Sequence, residues 1–366
     1  MTTDKAAPDF EVRSCFISRK GTKMTEAEVF ASCLALSHCH FLDTPYEGDP
    51  FSDELNSGAS NVCHYCTIDT LLSIIEKQCL RFTDVRFLND STEFLEIIPL
   101  IEHVLTNGNY SSSFKQFFLQ PSIIEDLKSY RQSYSAISNV DQTYKDMSYR
   151  TYTCSLSKNC DSLNIWNYYA ASSAGVNIGF DFAWNMFEGS NSYKTNTGKR
   201  LSGDIWLSRG LVIYNYFDKE KCVIKFLDHL FNVYSNLLQL NLLDKYRALL
   251  VQSFKEPINN MRCFFKNSHF DGEQEYRIVL KIPEETLRSP KSNSNIVNVS
   301  FFRRGKALVP YVDYKFKKSS ISQIVMNPYN CEDSSMMELG IQELLTMNNL
   351  DNVKIYHSNI PLRRYD

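Results

Sequence analysis

Three ionisable side chains alternate along one short stretch of the sequence: Glu273, Glu275 and Arg277. If this stretch is a β-strand, all three lie on one face, because side chains two residues apart in a strand point the same way. Tyr276 and Ile278 then occupy the other face. Such a charged face is commonly just a solvated strand surface. Two carboxylates and a guanidinium on one face can also form the wall of a polar cleft.

Further clusters of polar and aromatic residues stand at predicted strand ends and strand-to-helix turns, where functional residues tend to be placed. They are His64 with Tyr65, Asn89 and Asp90 with Glu93, and a segment that contains Ser155, Ser157, Asp161, Trp166 and Tyr169. Asn89, Asp90 and Glu93 equally suit the N-terminus of a helix. Asp161 suits the N-cap of a short helix that follows it.

The elements that must position these residues mix helices and strands without strict alternation. Strands are predicted near residues 62–66, 79–83, 149–157, 175–181, 206–216, 274–282, 297–301, 308–316, 321–326 and 353–358. Helices are predicted near 25–39, 71–77, 90–105, 161–170, 219–255 and 331–348. This order predicts an α+β fold with mixed or antiparallel central sheets and flanking helices.

The same pattern divides the chain into two parts. Residues 1–60 are predicted to form an N-terminal extension with one helix, in which Thr25 and Glu28 match a capping box. Residues 61–366 are predicted to form the main α+β domain, with helical insertions at about 107–148 and 217–262.

Composition narrows the class of protein. The chain has 366 residues, 43% of them hydrophobic, and a formal net charge of −3. A chain of this length can bury a large core. The overall charge is not basic, so it does not indicate binding to nucleic acid. Eleven cysteines without an apolar signal segment predict reduced, buried thiols in a cytoplasmic protein. No run of 18 apolar residues is present, so we expect no membrane span.

Several common site motifs are absent from the sequence or incomplete. Cys63 and Cys66 have a metal or redox spacing, but no second such pair is present, and the cluster from His38 to His40 is a poor substitute. The sequence contains no phosphate-binding loop, dinucleotide fingerprint or serine-hydrolase elbow. Basic clusters at 303–306 and 315–318 have aromatic neighbours. They suit solubility on edge strands, which is the more ordinary explanation, or nucleic-acid binding.

The order of sequence blocks resembles that of the DUF2971 family. The blocks are His64-Tyr65-x-Thr67, Leu88-Asn89-Asp90-x-x-Glu93, Ser155-Leu156-Ser157, Asp161-x-Leu163-x-x-Trp166-x-x-Tyr169-Ala170, Gly175-Val176-x-Ile178-Gly179-Phe180, Glu273-x-Glu275-x-Arg277, Val309-Pro310-Tyr311 and Ser358-x-Ile360-Pro361-x-Arg363. The resemblance runs from about residue 62 to 364, apart from the two insertions. It implies no particular reaction.

The order of a His-led first strand, a middle strand with serine and a late Glu-x-Glu strand is similar to that of ADP-ribosyltransferase-like folds. That resemblance implies NAD as a substrate and Glu275 as the catalytic carboxylate, with Glu273 orienting the acceptor. It implies that His64, with its neighbour Tyr65, contacts the nicotinamide-side ribose. It also implies that Ser155 or Ser157 is the polar group of the middle strand and that Trp166 or Tyr169 stacks on nicotinamide. Arg277 is expected to pair with a phosphate of the cofactor or with Glu275. The middle motif departs from the usual Ser-Thr-Ser pattern, and Asn89, Asp90 and Glu93 have no counterpart in that fold.

The implied reaction is chemically coherent. Cleavage of the nicotinamide–ribose bond develops positive charge at the anomeric carbon, which a fixed carboxylate stabilises. The resemblance therefore predicts an enzyme that modifies a nucleic acid or a protein, in conflict between phage and host. The alternative is a non-catalytic module that keeps the cleft to bind a ligand or a partner as a sensor. The acceptor and the oligomeric state do not follow from the sequence.

Overall fold

The structure is a computed structural model, and it describes residues 24–38, 61–88, 93–128, 132–133, 148–170, 175–181, 186–187, 198–201, 205–290, 295–329 and 334–361. The helices in these ranges are α1 (Glu26–His38), α2 (Ile68–Lys77), α3 (Ile97–Asn107), α4 (Ser112–Phe118), α5 (Pro121–Lys128), α6 (Leu163–Tyr169), α7 (Tyr216–Gln239), α8 (Leu243–Met261), α9 (Glu284–Arg288) and α10 (Ser334–Met347). The strands are β1 (Asn61–Thr67), β2 (Cys79–Asp84), β3 (Gln132–Ser133), β4 (Ser148–Ser157), β5 (Gly175–Asp181), β6 (Gly198–Leu201), β7 (Ile205–Leu211), β8 (Glu275–Pro283), β9 (Ile296–Arg304), β10 (Ala307–Lys315), β11 (Ile321–Met326) and β12 (Lys354–His357).

The described strands form one mixed sheet in which almost every pair is antiparallel. The main path runs β12-β11-β5-β1-β4-β2-β10-β9, and β8 pairs with β4, β7 with β8, and β6 with β7. Only β11 and β12 pair in parallel among the described strands. The predicted α+β class with flanking helices is confirmed.

The sheet is split beside the middle of β4. Strand β8 pairs with β4 along residues 149–157, so it occupies one whole edge of that strand. The other edge is shared: β1 meets it only at Ser157, and β2 meets it only at Tyr152 and Thr153. Helix α2 connects β1 to β2. The edge of β4 around Ser155 therefore faces a gap between the two strands.

Two apolar cores pack on opposite faces of the sheet. Even-numbered residues of β4 and β8, such as Leu156 and Ile278, join helices α2 and α10 in one core. On the other face, Val279 of β8 packs into a helical core built from α1, α3, α4, α5, α7 and α8. Glu275 and Arg277 have the parity of Val279, so they lie on the helical side of the sheet.

Local signals explain several helix starts. The backbone N–H of Thr25 donates to Glu28 over 2.7 Å, and the N–H of Glu28 donates to the Thr25 hydroxyl over 3.3 Å. The predicted capping box of α1 is confirmed. Thr67 caps α2 in the same way, through the N–H of Thr70.

The predicted helix from about residue 90 is wrong in its start. Helix α3 begins at Ile97, and Phe94, with a φ of 71°, interrupts the chain before it. Glu93 is therefore no first-turn carboxylate. Asn89 and Asp90 lie outside the described residues.

The N-terminal helix does not stand apart from the rest of the chain. Val29, Cys33 and Leu36 of α1 are buried in the helical core with α7 and α8. The long helical region predicted for 219–255 consists of two helices, α7 and α8. Whether these helices are insertions into a smaller domain stays a prediction. None of the helices in the described ranges has the length and apolarity needed to cross a bilayer.

Candidate functional site

The gap in the sheet opens into a cleft of about 970 Å³. Residues 153–157 of β4 all line it, as do residues 63–65 of β1. A cleft over one face of an intact sheet would touch only alternate residues of a strand. The consecutive lining shows that this cleft lies at the strand edges, where β1 and β2 separate.

An ion pair within strand β8 forms one wall of the cleft. Arg277 Nε and Nη2 donate to Oε1 and Oε2 of Glu275 over 2.7 and 2.9 Å. The two residues are only 1% and 2% exposed. Ser155, opposite Arg277 on β4, donates its hydroxyl to Glu275 Oε1 over 2.5 Å. The charged face predicted from the sequence is thus a buried network and not a solvated surface.

Glu273 is not on that strand. It ends a 3-10 helix (Ser268–Glu273), and Gln274, with a φ of 43°, turns the chain before β8 begins. The predicted strand alternation is therefore wrong for Glu273. Its carboxylate still reaches the network through Lys266, whose Nζ lies 2.5 Å from Glu273 Oε2 and 3.0 Å from Glu275 Oε2.

Glu93 completes the network from the opposite side. Its Oε1 lies 2.5 Å from Arg277 Nη2, and the side chain is 3% exposed. This contact, and not helix capping, is the role of Glu93 in the structure. Three carboxylates and two cations line the cleft together, so the cluster carries a formal charge of −1.

Electrostatics hold Glu275 and Lys266 in their charged forms. Burial by itself raises the pKa of Glu275, but the charges of Arg277 and Lys266, with hydrogen bonds from Arg277 and Ser155, lower it to about 2. Burial lowers the pKa of Lys266, yet Glu275 and Glu273 outweigh it and the pKa ends above its ordinary value. Burial raises the pKa of Glu93, and Arg277 offsets part of that rise.

His64 reaches the cleft only because the sheet is split. Cys63 lies opposite Ser157, so alternation places His64 on the other face from Ser155 and Glu275. At the gap its Nδ1 lies 3.4 Å from the carbonyl oxygen of Ser155. Since a carbonyl only accepts, Nδ1 carries the proton, and the neutral ring keeps Nε2 as an acceptor. Burial lowers the pKa of His64, which favours that neutral form.

Ser157 has a structural contact. Its hydroxyl donates to the carbonyl of Glu273 over 2.8 Å and accepts from the N–H of Asn159 over 3.0 Å. It therefore holds the end of β4 against the turn that carries Glu273. Ser155, whose hydroxyl reaches Glu275 itself, is the middle-strand residue that meets the charged cluster.

Two of the predicted aromatic residues belong to the core. Trp166 is fully buried, its Nε1 donates to Asp161 over 2.8 Å, and its ring packs edge-on against Tyr65 at 4.6 Å. The hydroxyl of Tyr65 donates to the carbonyl of Asn159 over 2.6 Å. Trp166 is thus not available to stack on a ligand, which leaves Tyr169 as the remaining candidate of the two predicted for that role. Tyr169 is 45% exposed and its hydroxyl lies 3.5 Å from Glu273 Oε1.

Asp161 is not a site residue in the structure, and it does not line the cleft. Its carboxylate accepts from Trp166, from the hydroxyl of Ser358 over 2.6 Å and from the N–H of Asn359 over 2.9 Å. Ser162, and not Asp161, stands at the N-cap of α6. Asp161 therefore ties the chain after β12 to the loop before α6.

Three residues that support the cluster carry no sequence signal that singled them out. For Lys266, the only hint in the sequence is that it directly follows an apolar run. Tyr214 accepts from the N–H of Glu275 over 3.0 Å. Lys219 of α7, 1% exposed, donates to Glu96 and to the carbonyl of Lys266, both over 2.7 Å. The helical layer therefore fixes the backbone beside the cluster.

Two cysteines next to the cleft are paired. Cys63 of β1 and Cys160 form a disulfide, with a Cα–Cα distance of 5.4 Å. The expectation of reduced thiols is therefore wrong for this pair. In the described part of the chain, the free cysteines are all buried: Cys33, Cys66, Cys79, Cys154, Cys222 and Cys263.

Fold and site together define an α+β protein with a charged cleft at a split sheet. A family described as "Protein of unknown function (DUF2971)" matches residues 165–278, and the resemblance seen in the sequence is confirmed over that segment. The segment contains Lys266, Glu273, Glu275 and Arg277, while His64 lies outside it. No curated protein matches the chain, and neither does any solved structure.

Proposed function

We propose that the cleft binds NAD and that the protein transfers its ADP-ribose unit to an acceptor. The observation that carries the proposal is the convergence of three strands at one cleft. His64 of β1, Ser155 of β4 and Glu275 of β8 all line it, and Ser155 contacts both of the others. The similarity to ADP-ribosyltransferase-like folds requires His64 and Glu275 to share a pocket, and they do.

The cleft has the size and chemistry that such a ligand needs. Ligand pockets typically enclose roughly 300–1,000 Å³, and this one encloses about 970 Å³. NAD joins two flat aromatic groups through two sugars and a pyrophosphate. Tyr168 and Tyr169, 79% and 45% exposed, supply rings at the cleft, while Arg81 and Arg304 supply cations elsewhere along its wall.

The transfer needs one bond broken and one formed. The bond from the ribose anomeric carbon to nicotinamide breaks, nicotinamide leaves with the electron pair, and the acceptor bonds that carbon and releases a proton. Glu275, ionised at every physiological pH, supports the positive charge that develops at the carbon. The formal charge of −1 on the cluster acts in the same direction. Glu273, 19% exposed by its side chain, is placed to take the acceptor's proton.

The neutral ring of His64 has a separate task. Its Nε2 can accept a hydrogen bond from a ribose hydroxyl, because Nδ1 is committed to the carbonyl of Ser155. Ser155 orients Glu275 through its hydroxyl. Both residues therefore position the sugar and the carboxylate relative to each other.

One observation favours the alternative of a non-catalytic sensor. Each oxygen of Glu275 already accepts two hydrogen bonds, Oε1 from Ser155 and Arg277 and Oε2 from Lys266 and Arg277. A carboxylate saturated in this way is typical of a structural network. A module of this kind would bind a ligand in the cleft and leave it unchanged.

The two functions separate in one set of measurements. Purified protein is incubated with labelled NAD and cell lysate, and NAD loss, label transfer and the change in Tm with NAD are recorded. The enzyme predicts NAD loss and transfer that fall in Ser155→Ala and Glu273→Gln, but not in Glu338→Gln, whose carboxylate lies on the surface helix α10. A rise in Tm without consumption supports the sensor. If NAD is neither consumed nor stabilising, both proposals are refuted.

A further inference from the structure

One face of the sheet beyond the gap carries a continuous set of cationic, aromatic and polar side chains. Strand pairing places Thr83 opposite Tyr311 and Arg81 opposite Asp313. It also places Ser300 opposite Tyr311 and Phe302 opposite Val309. Side chains of opposed residues share a face. We call this surface, formed by Arg81, Thr83, Asn298, Ser300, Phe302, Arg304, Tyr311 and Asp313, the β2–β10–β9 face.

The aromatic rings of this face alternate with guanidinium groups. The Arg81 guanidinium lies 3.9 Å from the centre of the Tyr311 ring and 5.9 Å from that of Phe302. The Arg304 guanidinium lies 5.2 Å from the centre of the Phe302 ring. Flat cations and rings arranged in this way are stacking surfaces for planar groups. Arg81, Asn298 and Arg304 are exposed and Phe302 is half-buried, so a ligand can reach these side chains, whereas Tyr311 and Asp313 are buried.

The tip of the hairpin adds positive charge to one end of the face. Segment 296–315 contains four basic residues and one acidic residue, in a chain whose net charge is −3. Gly305, with a φ of 59°, forms the turn between β9 and β10 and exposes Arg303 and Lys306 on either side. Within the described residues, Arg303 and Lys306 form no ion pair. The local charge is therefore opposite to that of the whole chain and available to an anion.

The face is continuous with the charged cleft. Arg81, Thr83, Asp313 and Arg304 line the same cleft as Glu275. Along the path β8-β4-β2-β10-β9, strands β2 and β9 are two and four strands from Glu275, roughly 10 and 19 Å at ordinary strand spacing. A polymer lying along the face can therefore reach the charged cluster.

We propose that the β2–β10–β9 face binds a single-stranded nucleic acid and presents one of its nucleotides to the cleft. Bases would stack on Phe302 and on the Arg81 guanidinium, and phosphates would follow Arg304 on this face. They would then pass round the hairpin tip to Lys306 and to Arg303, which is opposite Leu308 and points away from Phe302. Stacking rings beside a basic track are the general means of binding single strands. A rigid duplex keeps its bases inside and cannot use the rings. The assignment of the strand as the acceptor rests on the proposed transferase, whereas binding itself does not.

Binding is tested on the full chain without NAD. Fluorescence anisotropy measures the Kd of labelled single-stranded RNA and DNA of about 12 nucleotides, of the matching duplexes, and of an acidic peptide, over a range of salt. We expect the single strands to bind best. Three phosphate contacts predict a slope of log K against log salt of about −2.

Three variants separate stacking from charge. Phe302→Ala should weaken single-strand binding by roughly five- to 150-fold with an unchanged salt slope. Arg303→Glu with Lys306→Glu should reduce the slope to about −0.7. The matched control, Lys221→Glu with Arg288→Glu, reverses two exposed cations away from this face and should bind like the wild type. Tm values and circular dichroism check that each variant is folded.

Several results would overturn the proposal. If duplexes or the acidic peptide bind as tightly as single strands, the face binds polyanions in general. If the control variant loses as much affinity as the face variants, the binding site is not on this face. Label transfer from NAD to lysate protein, with none to nucleic acid, would assign a protein acceptor instead. If single strands fail to bind while NAD is still consumed, this inference fails and the proposed function stands. If single strands bind but NAD has no effect, the proposed function fails and the binding face stands.

Discussion

Glu275→Gln tests the charged cluster most directly. Glutamine keeps the shape of the side chain but removes the negative charge that Arg277 and Lys266 surround. Both cations are buried, and each loses one of its two carboxylate partners, because Arg277 keeps only Glu93 and Lys266 keeps only Glu273. We therefore expect the variant to fold with a clearly reduced free energy of unfolding.

The magnitude follows from the pKa of Glu275. An ordinary value of 4.5 falls to about 2 in the folded protein, so ionisation of this group contributes about 3 kcal/mol at pH 7. Because the folded pKa is depressed, the contribution is complete above the unfolded pKa and is lost as the pH falls through the folded one. It should begin to decrease near pH 5 and reach less than half of its full value by about pH 3.

Urea unfolding of both proteins between pH 7 and pH 3 measures this difference. We expect a gap of about 3 kcal/mol that is constant above pH 5.5 and narrows below it. Glu125→Gln, which removes an exposed partner of Lys128, is the matched control and should leave the midpoint unchanged. A gap below about 1 kcal/mol at pH 7, or one that does not change with pH, would contradict the reasoning.

Three further predictions concern the supports of the cleft. Lys219→Met should lower the free energy of unfolding, measured in urea, by roughly 1–3 kcal/mol, because it leaves the buried Lys266 carbonyl without its donor. Lys221→Met on the same helix is the control and should leave this free energy unchanged. Equal urea midpoints for the two variants would contradict the role of Lys219. Burial lowers the pKa of His64, so the unfolded chain binds protons more readily and stability should fall as the pH drops below 6.5; His64→Asn should flatten that fall between pH 7 and pH 5, and parallel curves would exclude the effect. Cys160→Ser should destabilise the oxidised protein by about 4–5 kcal/mol, since the disulfide joins residues 97 apart, and reductant should reproduce the loss in the wild type; an unchanged Tm with reductant would show that the two thiols are free.

Local structure was readable from local signals. The capping box of α1 and the alternation of Tyr276 and Ile278 against Glu275 and Arg277 both depend on residues a few positions apart. The α+β class follows from the order of such signals. The break at Phe94 escaped prediction, because a positive φ at a phenylalanine is imposed by the surrounding structure and not by its own preference.

The burial of the charged face also depended on residues far away in the chain. A strand with two charges on one side looks solvated when read alone. Here Glu93 and Lys266 arrive from other elements and cover Arg277 and Glu275. The prediction for Trp166 failed in the opposite direction. This residue was expected to stack on a ligand, but it is a core residue whose indole N–H donates to Asp161.

By itself the sequence determined which residues carry charge, where most of the strands and helices form, and that Glu275 and Arg277 share a face, because these properties depend on residue type and on the two-residue period of a strand. Tertiary structure alone decided that the sheet splits between β1 and β2. That split brings His64, on the wrong face by alternation, to the carbonyl of Ser155 and so into the cleft with Glu275. Pairing between strands far apart in sequence carries no local signal. The sequence could therefore supply the candidate residues of the site but not their arrangement in space.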